Sequence, residues 1–206
     1  EQILLPSYSL AKTLHIGLVT AAMAQELDID PYAADVSELL PRSTASAPGT
    51  WEGVTVENLL DMTTGHYRYE GQSDDYMGSF FLDYSLEGRL QASLSFPYRE
   101  PPGQRAIYLT PNYQVAAAAL DVILEREGAG ITDSFDLAVE RIYKPAGVTP
   151  DSFSTLRTWD GGQNNGTAFG GYGLVFTPQG LARLGAFVLA GGVVDGVPSM
   201  KPARLD

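Results

Sequence analysis

The sequence predicts a mainly helical globular segment with a small amount of strand. Three observations lead there. Residues His15 to Leu27 are mostly Ala, Val, Ile, Leu and Met with few polar breaks, the pattern of a helix that is buried most of the way round. Val115 to Leu124 repeats that pattern behind Thr110-Pro111, a threonine suited to cap a helix and a proline suited to its first position. Thr177-Pro178 repeats the same device ahead of a helix that runs to Ala190 and stops at Gly191-Gly192, and the stretch Gly170 to Thr177 before it reads as extended.

Composition bounds the function classes. With 206 residues, 44% of them hydrophobic and 10% aromatic, the chain has material for a real core. A net charge of −12 disfavours nucleic acid and anionic membrane as partners. There is no cysteine, which excludes disulfides, Cys-ligated zinc and a cysteine nucleophile. The two histidines, His15 and His66, are too few for a His-rich metal site. No stretch spans a membrane, because Ile16 to Leu27 is short and carries polar residues. No signal peptide is visible, but the chain opens only a few residues before Ser7. The compartment, bacterial cytoplasm or periplasm and beyond, is left open, as is the oligomeric state.

The chemistry begins at Ser7-Tyr8-Ser9-Leu10-Ala11-Lys12-Thr13. Residues three apart on a helix are neighbours, so Lys12 is expected beside Ser9. The same face continues through the apolar Ile16, Val19 and Met23. A lysine on a buried face is held from water, and desolvation makes its ammonium easier to deprotonate. An amine so placed can take a proton from a hydroxyl. Ser9 at the helix start would also meet unbonded backbone N–H groups and the positive end of the dipole. The plainer alternative is an N-capping serine with a solvated lysine.

The remaining elements follow in order. Asp28-Ile-Asp-Pro31 breaks the first helix, Tyr32 to Pro41 reads as a short helical or irregular connection, and Arg42 to Gly49 as a loop. Val54 to Gly65, VTVENLLDMTTG, reads as a compact helix with Thr55 as N-cap, Glu57 in the first turn and Gly65 just past the end. His66 reads as a surface or capping histidine, since no acid partner is identifiable. Helical pieces are expected near Tyr76 to Leu86 and Arg89 to Leu94, and Pro97 to Gly103 is a loop. Tyr67, Tyr69, Tyr76, Phe80, Phe81 and Tyr84 read as core before pocket lining. Ile131 to Tyr143 is an amphipathic helix with Asp133 and Asp136 in its first turn, stopped at Lys144-Pro145. Asp151 to Thr167 reads as a polar loop, and Asp195-Gly196 as a turn.

Three of these segments carry a resemblance. S-x-S-x-A-K-T before a buried helix, the V-T-V-x-x-L-L-x-M-T-T-G helix, and Tyr108-x-Thr110 before a second buried helix resemble the serine β-lactamase and penicillin-binding-protein superfamily. The nearest branch is the class C-like group, which holds class C β-lactamases, β-lactamase-fold esterases and aminohexanoate-oligomer hydrolases. Lys144-Pro-Ala-Gly-Val148 and the segment from Gly170 resemble later family segments, with Gly180 where the family usually has Asp.

The resemblance implies an α+β fold of the β-lactamase/transpeptidase type, with this chain covering mainly the helical region and lacking most of the antiparallel sheet. Residues 1–206 would be one β-lactamase-like serine hydrolase domain, incomplete at both ends. It implies hydrolysis of a small ester or amide through an acyl-enzyme on Ser9, with Lys12 and Tyr108 as acid/base partners and no metal or organic cofactor. Ser9, through its N–H, and Thr110 are the substrate or oxyanion candidates. The family's third motif, Lys-[ST]-Gly or His-x-Gly, has no counterpart in a usable place, since His15-Ile16-Gly17 lies inside the first helix. Thr110 stands where the family has asparagine and offers a hydroxyl without an amide. That departure favours esters or non-lactam amides. The alternatives are a β-lactamase or D-amino-acid peptidase, a non-catalytic ligand-binding member, a helical interaction domain, and a Ser-His-Asp hydrolase, for which neither His15 nor His66 is well placed.

Overall fold

The computed structural model describes residues 3–71, 75, 78–194 and 197–198. Two helices make the centre. The first, α1, passes through a π-helical segment, Lys12–Gly17, into regular helix over Leu18–Glu26. The second, α7, spans Thr110–Arg126. Their apolar runs are the reason for their place: Ile16, Val19 and Met23 on α1, and Val115, Ala117, Ala119 and Leu120 on α7, are all fully buried. Shorter helices surround them: α2 (Val36–Leu39), α3 (Pro41–Ala45), α4 (Val56–Leu60), α5 (Gly78–Leu82), α6 (Leu86–Leu94) and α8 (Ser134–Ala138), which runs on as a π turn over Val139–Tyr143. Helix α4 and helix α6 lie against α7, and α8 against α1. Helix α9, Pro178–Leu189, opens on Thr177, whose Oγ1 accepts the Gly180 N–H at 3.0 Å.

The strands are few, as the sequence predicts for this chain. A small antiparallel sheet has the order β1-β5-β2, with β1 at Leu5–Pro6, β2 at Phe153–Thr155 and β5 at Leu174–Phe176. Leu5 pairs with Phe176 on one edge of β5, and Phe153 pairs with Phe176 on the other. A separate ribbon joins β3 (Arg157–Asp160) to β4 (Gln163–Ala168), and a short pair joins Val193–Val194 to Val197–Pro198.

Several boundaries differ from the sequence reading. Asp151 to Thr167 is not a loop; it carries β2, β3 and most of β4. Gly161 and Gly162 have φ of +66° and +80°, the pair of left-handed residues that a tight turn between two twisted strands requires. Arg42 to Gly49 is not all loop either, because Pro41 starts α3 and the Thr44 hydroxyl bonds back to the Leu40 carbonyl at 3.0 Å. The helix expected over Val54 to Gly65 ends at Leu60, and Met62 takes the left-handed conformation at φ +57°. Its predicted N-cap holds: Thr55 and Asn58 form a reciprocal capping box. Gly65 has another task. A Cβ there would lie 2.0 Å from the Glu100 carbonyl oxygen, so glycine lets two chain segments cross. Of the aromatics read as core, Tyr67 and Phe80 are buried, while Tyr69, Phe81 and Tyr84 are exposed. Tyr76 and the Asp195-Gly196 turn lie outside the described residues.

Candidate active site

The entry to α1 is a tight turn. Leu10 N–H bonds to Ser7 O at 3.1 Å, Ala11 N–H to Tyr8 O at 3.2 Å and Lys12 N–H to Ser9 O at 3.0 Å, each a bond back by three residues. The sheet anchors this turn, since Ser7 N–H donates to Leu174 O at 2.8 Å directly after the β1–β5 pairing. Tyr8 sits at φ +49°, a left-handed conformation that costs a tyrosine on the order of 1 kcal/mol. The result is a sharp corner that leaves Ser9 exposed at the end of a buried helix.

Lys12 lies one turn in and is 6% exposed. Its Nζ donates to Ser9 Oγ at 3.2 Å, to Thr110 Oγ1 at 3.0 Å and to the Gly171 carbonyl oxygen at 3.0 Å. Ser9 and Lys12 thus lie side by side, as their spacing predicts, although the turn between them is tight and the helix that follows is π-type. Gly171 is required where it is. A Cβ there would come within 2.7 Å of Thr110 Cγ2, so a side chain would push this carbonyl away from Lys12.

Tyr108 stands two residues ahead of α7, and its hydroxyl donates to Ser9 Oγ at 2.6 Å. Lys12 Nζ also lies 4.8 Å from the centre of the Tyr108 ring. Burial by itself pushes the phenol up. The hydrogen bonds with Lys12 and Ser9 and the lysine charge outweigh burial, so the phenol is more acidic than an ordinary tyrosine.

Thr110 does not cap α7 with its side chain, as the sequence suggested. Leu109 holds the N-cap position and Thr110 is the first helical residue. Its hydroxyl is turned inwards, accepting from Lys12 and donating to Asp75 Oδ2 at 2.8 Å. The Thr110 N–H, unbonded within the helix, donates to Asp75 Oδ1. Asp75 therefore caps α7 from outside the helix and closes the polar network. So Ser9, Lys12, Tyr108 and Thr110, all singled out from sequence, meet in one hydrogen-bonded group. Asp75 and the Gly171 carbonyl were missed. Asp75 lies in a stretch without helical or strand period, and a backbone carbonyl leaves no mark in a sequence.

Neither histidine joins this group. His15 is 1% exposed and faces Ser134, with its Nε2 3.4 Å from Ser134 Oγ. Burial, above all, pulls its pKa down to about 4. His66 is not a surface residue: it is 1% exposed and stacks on Trp51 with ring centres 4.2 Å apart. Its Nδ1 lies 3.0 Å from the Thr64 carbonyl, and burial lowers its pKa as well. Among the described residues no three His, Cys, Asp or Glu side chains are grouped to hold a metal ion. No described helix is long and apolar enough to cross a membrane.

Known structures share this fold at low identity. A candidate β-lactamase from Bacteroides dorei DSM 17855 superposes with a TM-score of 0.68 at 22% identity, covering 99% of this chain and 55% of that one. A D-stereospecific amidohydrolase from Streptomyces sp. gives 0.66 at 14% identity, over 96% of this chain and 64% of that one. EstCE1, a hydrolase with promiscuous acyltransferase activity, gives 0.63 at 17% identity, over 96% and 61%. The chain thus spans between 55% and 64% of the length of these three structures. No curated protein matches it. The family described as Beta-lactamase matches residues 4–203, which is nearly the whole sequence, and the chain belongs to that family, with the β-lactamase/transpeptidase-like fold.

Proposed function

We propose that this protein is a serine hydrolase that transfers the acyl group of a small ester or amide to water through Ser9, and that residues 1–206 belong to one β-lactamase-like domain. One observation carries the reading. An exposed serine hydroxyl lies within hydrogen-bonding distance of both a buried lysine and a tyrosine of lowered pKa, Lys12 Nζ at 3.2 Å and Tyr108 Oη at 2.6 Å.

The three N–H groups of Lys12 each have an acceptor, the arrangement an ammonium makes. Its charge favours the phenolate of Tyr108. As Ser9 Oγ attacks the substrate carbonyl carbon, Tyr108 takes the hydroxyl proton. The carbonyl oxygen gains the negative charge, and the Ser9 N–H at the helix entry is one donor to it. When the carbon–oxygen or carbon–nitrogen bond breaks, Tyr108 returns the proton to the leaving alcohol or amine. A water molecule then attacks the acyl-enzyme, giving its proton to Tyr108. Ser9 leaves with that proton, and the acid is released.

Thr110 serves Lys12 in this scheme and not the substrate, because its hydroxyl is engaged by Lys12 and Asp75 and its residue is 4% exposed. An asparagine amide could reach outwards from this position, and threonine cannot. This supports esters and non-lactam amides as substrates. The amidohydrolase and acyltransferase chemistry named for two structural neighbours supports the same class.

Mixing the protein with an excess of p-nitrophenyl acetate tests the reading. A burst of one equivalent of p-nitrophenol, with acetate on the intact chain by mass spectrometry and both lost in Ser9→Ala, is the expected result. A burst that survives Ser9→Ala would overturn it.

A further inference from the structure

Resting on the reading of Ser9 and Lys12 just given, we propose that Asp75 is a positioning residue: through the Thr110 hydroxyl it fixes the polarity of the network so that one position of the Lys12 nitrogen always faces Ser9.

A carboxylate only accepts, while a threonine hydroxyl has one hydrogen to give. With Asp75 Oδ2 2.8 Å from Thr110 Oγ1, that hydrogen is committed to Asp75. The Thr110 oxygen is then left to accept, which it does from Lys12 Nζ at 3.0 Å. The Gly171 carbonyl, also at 3.0 Å, can only accept as well. Two of the three outward directions of the lysine nitrogen are thereby fixed as donors. The third meets Ser9 Oγ at 3.2 Å. In the ammonium it carries a hydrogen for the serine oxygen, and in the amine it carries the lone pair. Either way the variable position faces the nucleophile.

Without the carboxylate, the Thr110 hydroxyl rotates, and its hydrogen competes for the lysine lone pair or sets itself against the lysine hydrogens. The other oxygen of Asp75 accepts the Thr110 N–H and holds the carboxylate in register with the start of α7. A plain helix cap would need only that second bond.

Asp75→Asn separates the two roles. The amide oxygen can still accept the backbone N–H, but the NH2 group now faces the Thr110 hydroxyl and forces its hydrogen away. The readout is the rate of Ser9 modification by a fluorophosphonate ester, followed by intact mass over a range of reagent concentrations. In Asp75→Asn the saturating rate should fall about tenfold to a hundredfold, the scale of a lost hydrogen bond to a charged group, with the half-saturating concentration unchanged. Thr110→Val should show a similar loss, and adding Asp75→Asn to it should cost much less than Asp75→Asn costs alone, because the effect of Asp75 on Lys12 runs through that hydroxyl. Urea midpoints of all variants, taken alongside, show that each is folded. Folded Asp75→Asn reacting at the rate of the unaltered protein, or losses that multiply in the double variant, would overturn the inference and leave the reading of Ser9 standing. No modification of the unaltered protein would overturn both.

Discussion

Lys12 and His15, three residues apart on α1, enter two serine-containing networks of opposite character. On the Lys12 side, an exposed Ser9 meets a buried cation and an acidified phenol. On the His15 side, Ser134 lies between a histidine and an acid: its Oγ is 3.4 Å from His15 Nε2, and its N–H donates to Asp121 Oδ1 at 2.7 Å. This second group holds all three residue types of a Ser-His-Asp hydrolase, yet the order is wrong. The acid is bonded to the serine and not to the histidine, and Ser134 is 1% exposed. On the proposed reading, what separates Ser9 from Ser134 is access and a partner whose protonation a neighbouring charge can control.

The largest effect that would sharpen the contrast is at Lys12. Lys12→Met keeps the bulk and removes the charge, and should slow fluorophosphonate modification of Ser9 by roughly a thousandfold. The matching change on the other side, His15→Gln, should leave that rate within about twofold, since it removes no group that touches Ser9. Equal losses in the two variants would break the distinction between the networks.

The next effect is smaller and depends on pH. In the proposed mechanism the phenolate of Tyr108 accepts the proton, so the rate should rise with pH through the phenol's lowered pKa and level off above it. Tyr108→Phe should lose about a hundredfold and, with it, that rise. A variant that retained the same pH profile would place the titrating group elsewhere.

The remaining effect lies in the buried network, leaves the rate untouched and reads out in stability. Burial, aided by Asp133, raises Asp121 to about 7 from its ordinary 3.8, so between pH 4 and 7 the folded state holds a proton that the unfolded state has lost. Its contribution to stability therefore falls as pH rises through that window. His15, lowered from 6.5 to about 4, acts in the opposite sense: its contribution falls as pH drops from 6.5 to 4. The two slopes oppose each other. Asp121→Asn keeps an oxygen for the Ser134 N–H and an N–H for Thr167, and should stabilise the protein at pH 8 on the order of 2–4 kcal/mol while changing little at pH 4. Urea unfolding of the variant should show stability rising more steeply from pH 4 to 6.5 than in the unaltered protein, because the buried histidines His15 and His66 are then no longer opposed by Asp121. A slope no different from that of the unaltered protein would mean that Asp121 is not the opposing group.

What the sequence revealed follows a physical line. Ser9 and Lys12 are near neighbours in the chain, so spacing alone brings them together. Tyr108 and Thr110 were legible because they stand directly before a buried helix in a recognisable order. The π-helical pitch at Lys12–Gly17 was not legible, since Ile16, Val19 and Met23 are buried whether that turn is regular or wide. The strand β4 was hidden because Gln163, Asn164 and Asn165 are exposed and polar, without the alternation that marks a half-buried strand. His66 was misjudged because the ring that covers it, Trp51, is brought to it by the fold and not by a local pattern. Asp75 is the same kind of case: its partner Thr110 is 35 residues away.

The measurement that tests the central claim most directly is peptide mapping of the fluorophosphonate adduct by tandem mass spectrometry on the folded protein. The account predicts a single modified position, Ser9, with Ser134 unmodified. Modification at Ser134, or a folded protein with no adduct, would contradict it.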